Sequence, residues 1–163
     1  MFEPHPDADA RKRSAVALVK YLLANKNPEI LDEHRCELLR RVLLFKITEA
    51  ESPKFETRFR SQEALNCDKT KIKLRHDHVY QRSKMVAELK QAEPDEVDRI
   101  LAKAVGCTVT EEEHSRLSKF KEYDGWARYQ KAEIVVIDTK TNVPFLYNDL
   151  PLPRRPHVPR HQS

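Results

Sequence analysis

Residues 74–117 change hydrophobic period several times, and few folds accommodate the resulting order. Leu74-Arg75-His76-Asp77-His78-Val79-Tyr80 alternates with period two, the pattern of a strand with one face inward. Met85, Val86 and Leu89 then repeat at helical spacing over residues 84–92. Pro94 suits the first turn of a second helix, whose face is Val97, Ile100, Leu101, Ala104 and Val105 and which Gly106 ends. Cys107-Thr108-Val109 reads as a short strand. Thr110 and Glu113 form a capping box for a further helix, and His114 falls in its first full turn. A chain ordered strand, two helices, strand, helix belongs to the α+β class.

The flanks complete that reading. Val16, Val19, Leu22 and Leu23 predict a helix after a frayed, proline-containing start, with Asp7 or Asp9 as its cap. Ile30, Leu31, His34, Leu38, Leu39, Val42, Leu43 and Ile47 predict one long helix over 29–48 with a broad apolar face. The short break between them predicts a helical pair. Residues 54–60 alternate aromatic and charged, as a short strand or extended loop with Phe55 and Phe59 inward. Ser61 caps a short helix, and residues 69–75 again alternate, with cations on one side. Trp126 and Tyr129 are helix neighbours, residues 134–137 a buried strand, and residues 143–147 its hairpin partner. The expected organisation is a helical platform at 1–52, an α+β core at 53–150 ending in a β-hairpin, and an unstructured tail at 151–163.

Composition removes several function classes. With two glycines, the chain has no Gly-rich phosphate loop of the P-loop or dinucleotide kind. Three widely spaced cysteines argue against a disulfide framework and a CxxC zinc site, and fit a reducing, cytoplasmic setting. No apolar run approaches the roughly 20 residues of a membrane span, and the N-terminus lacks the pattern of a secretory signal. A formal charge of +4 is modest, so clustering of the cations matters more than their sum.

The order of a strand bearing His76-Asp77-His78, connecting helices, a second strand and a helix bearing His114 resembles the HNH nucleases, the ββα-metal group. The resemblance covers residues 74–117. It implies His78 as general base, Asp77 and His114 as metal ligands, and His76 as a further ligand or phosphate contact. It also implies a divalent cation, Mg, Mn or Zn, and hydrolysis of nucleic acid, DNA ahead of RNA. The sequence departs from the family pattern in its two-helix insertion, in having no asparagine or histidine at 106–113, and in lacking a zinc-knuckle cysteine pair.

Arg58, Arg60, Lys69, Lys71, Lys73, Arg75 and Arg82 are the candidate phosphate contacts. Two other classes remain open. One is nucleic-acid binding without cleavage. The other is a protein-binding regulator or inhibitor, such as a phage or mobile element would carry, using the helical face of 29–48, with a protein partner or a homodimer. The first reading requires Asp77, His78 and His114 to converge, and the last requires an apolar patch left exposed on the helical half.

Overall fold

The computed structural model describes residues 2–145 and 147. It is an α+β fold with one five-stranded mixed sheet. The strands are β1 (Phe59–Ser61), β2 (Leu74–His78), β3 (Gly106–Thr110), β4 (Val136–Asp138) and β5 (Val143–Pro144), in the order β2-β3-β1-β4-β5. β3 runs parallel to β1; the other three pairings are antiparallel. In β2–β3, His76 stands opposite Thr108 and Asp77 opposite Cys107. Partners in register share a face, so His76 and His78 look to one side of the sheet and Arg75 and Asp77 to the other.

Two apolar clusters hold the molecule together. The first joins α1 (Ala8–Ala24), α2 (Asp32–Leu38), a π-helical turn (Leu39–Leu43), α3 (Leu44–Thr48), α5 (Arg82–Gln91) and α6 (Val97–Leu101). Val19, Leu39, Leu44, Met85 and Leu89 are almost wholly buried in it. The inserted helices α5 and α6 therefore pack into the helical platform, across the expected boundary at residue 52. The expected single helix over 29–48 starts at Asp32 and is interrupted by the π turn. That wider turn brings Leu39, Leu43 and Leu44 to the buried side together. It leaves Leu31, Leu38 and Val42 exposed, along with His34.

The second cluster lies on the Asp77 face. It joins Cys107, Val109 and Val136 to α7 (Glu111–Leu117) through Leu117 and to α8 (Trp126–Lys131) through Trp126 and Tyr129. α4 (Gln62–Asn66) follows β1, capped by the Ser61 hydroxyl, which accepts from Ala64 N at 3.0 Å. The Thr110–Glu113 capping box of α7 forms with both halves made, and the expected hairpin is present but shortened to the antiparallel pair β4–β5.

Several expectations are corrected. Of the stretch at 54–60 only Phe59 and Arg60 are strand, residues 54–57 are turn and loop, and Phe55 is 40% exposed rather than inward. Residues 69–73 form a turn rather than an extended run. Gly106 does not cap a helix; it opens β3. Phe2 and His5 are tied down, their N–H groups donating to Thr139 O and Glu51 O, so the start is anchored rather than frayed. The tail expected at 151–163 lies outside the described residues. Among the described residues no helix is long and apolar enough to cross a membrane.

Candidate functional site

β2 is an edge strand, and its last residues carry the site. Val79 follows fully buried and donates its N–H to Val105 O at 3.0 Å, which pins the strand end. Thr110 closes β3 and starts α7, so His114 is carried back over β2 on the Asp77 face.

Asp77 is 6% exposed and uses its two oxygens differently. Oδ2 accepts from the Tyr129 hydroxyl at 2.6 Å and from Arg128 Nη2 in a charge-assisted bond. Oδ1 faces His114, whose Nε2 stands 3.6 Å away. The His114 ring is 42% exposed, so the pair has one foot in the core and one in solvent. Burial pushes the Asp77 carboxyl above its usual range, and Arg128 and the Tyr129 hydroxyl oppose that shift. The same burial pushes the Tyr129 phenol and the Cys107 thiol well up, which keeps both neutral. Arg128 Nη2 also donates to His78 O at 3.0 Å, locking the backbone beside the carboxylate.

On the opposite face His76, His78 and Phe45 form a three-ring cluster, with centroids 5.2–5.3 Å apart. His76 Nδ1 donates to Lys54 O at 2.9 Å, and its Nε2 lies 3.3 Å from the Thr48 hydroxyl. His78 Nε2 is buried without a hydrogen-bond partner among the described residues. Burial, reinforced by the nearby Arg82 charge, holds the His78 pKa down to about 3. Burial lowers His76 as well. The Phe45 ring carries two cations, Lys54 Nζ and Arg82 Cζ, each 5.9 Å from its centroid. Arg82 Nη1 donates to Arg40 O at 3.0 Å.

Asp77 and His114 are thus brought together, whereas His76 and His78 look away from them. Among the described residues no group of three His, Cys, Asp or Glu side chains is placed to hold a metal ion. The seven cations do not form one free patch. Arg58 is clamped on Asp138 by bonds of 2.9 and 2.5 Å, which hold that carboxyl below its usual range. Arg60 Nε donates to Thr57 O at 3.0 Å. Lys71 pairs with Asp68 at 3.3 Å, and Lys73 and Arg75 share Glu111. Lys69 is exposed with no acidic partner among the described residues.

Arg128, Lys54 and Phe45 carry no functional signal in the sequence, and Tyr129 stands out there only as a helix neighbour of Trp126. Arg128 and Tyr129 meet Asp77 across more than 50 positions, and no local pattern announces such a pairing. No protein-family model, no curated protein and no solved structure matches this chain.

Proposed function

We propose that the chain hydrolyses phosphodiester bonds in nucleic acid, using a divalent cation held by Asp77 Oδ1 and His114 Nε2. The observation that carries the reading is the 3.6 Å between those atoms, with the other carboxylate oxygen already engaged by Arg128 and Tyr129. Two ligands of one ion, each bound at about 2.0–2.2 Å, stand about 2.9–3.6 Å apart at octahedral or tetrahedral angles. Hydrogen bonds to the second oxygen are what orients a ligating carboxylate. One oxygen and one imidazole nitrogen suit Mn²⁺ or Zn²⁺ better than Mg²⁺. Such a cation stabilises the charge that develops on the phosphate and its leaving oxygen. Lys54 and Arg82, over Phe45, offer a phosphate contact and a stacking surface on the other side of β2. His78 is neutral throughout the physiological range, but a pKa of about 3 makes it a weak proton acceptor. His78 lies on the other face of the sheet, so the three-residue convergence expected from the sequence is not met, and what we propose is narrowed to a cation on Asp77 and His114 with no role for His78.

The test is nicking of supercoiled plasmid and of single-stranded RNA with Mn²⁺, Zn²⁺ or Mg²⁺. Cleavage is expected with one of these ions, abolished by chelation and lowered by about 10²-fold or more in His114→Ala. His114 is half-exposed, so this variant keeps the fold. Equal cleavage by His114→Ala and wild type, or no cleavage with any ion, overturns the reading.

One observation favours binding without cleavage. Arg128 already balances the Asp77 charge, so a two-ligand seat holds a cation weakly, with Kd on the order of 1 mM. Retarded but uncut nucleic acid at several millimolar Mn²⁺ would select this second reading. Its affinity should fall steeply with added salt.

A further inference from the structure

A groove of about 890 Å³ lies away from the Asp77–His114 pair, between α1 and the segment from Val42 to Lys54. Leu18 and Val42 form its walls while remaining 52% and 43% exposed, over a floor of Ala15, Leu43 and Ala50. Exposed large side chains over a floor that includes the small Ala15 and Ala50 suit docking, because the small residues let a second backbone approach closely. The apolar exposure extends along the same half of the molecule, with Tyr21 at 68% and Leu38 at 41%.

The charged lining is mostly positive. Arg11, Lys46 and Lys54 line the groove, against the single acid Glu49. None of the three cations has a carboxylate partner within 4.0 Å among the described residues, so their charges are free to meet those of a ligand. The groove is lined by helices and by the irregular segments around His5 and residues 49–54, and no strand residue lines it, so it offers no strand edge for main-chain pairing with an extended peptide. A basic rim around an apolar trough matches an amphipathic helix with acidic flanks.

We propose that this groove docks an acidic amphipathic helix of a partner protein, its apolar residues seated between Leu18 and Val42 and its carboxylates on Arg11, Lys46 and Lys54. A second copy of this chain is a poorer fit, because the net charge of +4 and the basic rim repel their own kind. The residues beyond 150, with Arg154, Arg155 and Arg160, carry the wrong sign for the same site. The flexible cations also let the rim adjust to the spacing of the acids that meet it.

The experiment uses the full chain and a labelled synthetic helical peptide of about 20 residues, with leucines at i, i+3, i+4 and i+7 and glutamates on both flanks. Fluorescence anisotropy should give a Kd in the micromolar range, weakening with salt. Leu18→Glu should weaken it by about tenfold or more, and so should the charge reversal Lys46→Glu. Both positions are exposed, so neither variant threatens the fold, and far-UV circular dichroism checks this. A peptide with lysine for every glutamate should not bind. Equal binding by wild type and Leu18→Glu, equal binding of the lysine peptide, or no binding at 1 mM overturns the proposal. So does sedimentation showing a wild-type dimer that Leu18→Glu dissolves, which would assign the groove to a second copy.

Discussion

Gly106 lies directly against the His76 ring: a Cβ added to Gly106 would stand 2.6 Å from His76 Cε1 and 2.9 Å from Nε2. The ring cannot swing aside freely, because Nδ1 is bonded to Lys54 O and Nε2 faces Thr48. Gly106→Ala should therefore cost about 1–3 kcal/mol through overpacking. Urea denaturation measures it, and the same substitution made on His76→Ala should cost much less. An equal cost in both backgrounds would show that the close contact is not the cause.

The buried pair of Asp77 and Arg128 makes a second prediction. Removing one partner leaves the other charge in the core without a counter-ion. Asp77→Ala should lose about 3–5 kcal/mol of stability, whereas Asp77→Asn, which can still accept from Tyr129, should lose less. The double variant Asp77→Ala/Arg128→Met should recover part of the loss. Additive losses in the urea midpoints would deny the coupling.

How far these features could be read in advance depends on how local their causes are. The Thr110–Glu113 capping box and the Ser61 cap span three residues each, so their chemistry is complete in a short window. Residues 69–73 show how a local signal misleads. Their alternation reads as strand, but the Asp68 carboxylate accepts from both the N–H and the hydroxyl of Thr70, and Asp68 O accepts from the N–H of Lys71 and of Ile72. That turn outcompetes extension. Gly106 after an apolar helical face likewise looks locally like a helix stop. Its cause is the His76 ring, 30 positions away in sequence and one strand away in space. The Asp77 oxygens, the placement of Phe45 beneath two cations and the π turn at Leu39–Leu43 are tertiary facts with no nearby signature. Period two alone does place Asp77 and His78 on opposite faces, which bears directly on how many of the three site residues can meet.

Histidine burial gives a pH dependence. The folded pKa of His78 is about 3 and the unfolded value about 6.5, so the unfolded chain binds more protons between them. Stability contributed by neutral His78 is full above the unfolded pKa and is lost as pH falls below 6.5 toward 3. Between pH 7 and pH 5 the loss from this residue is about 2 kcal/mol, and His76 adds to it in the same direction. In chelator-containing buffer, wild type should lose urea resistance over that window and His78→Gln should lose distinctly less. Parallel pH profiles for the two proteins would remove His78 as the source.

Glu113 ties three elements together at one carboxylate. Its Oε2 accepts from Thr110 N at 2.8 Å and from the Ser61 hydroxyl at 2.5 Å, while the residue is only 1% exposed. Ser61 in turn caps α4, and Thr110 caps α7, so the carboxylate couples β1 and its helix to the helix that carries His114. Glu113→Ala leaves both the Ser61 hydroxyl and Thr110 N without that acceptor in a buried place, at a cost of about 2–4 kcal/mol. Glu113→Gln keeps an acceptor oxygen of the same reach and should cost about 1 kcal/mol. Because the tie positions α7, amide exchange in Glu113→Ala should accelerate in α7 and α4 together, ahead of the α1 helix. Exchange that rises evenly across all helices would mean the carboxylate supports the whole core and has no particular hold on the His114 helix.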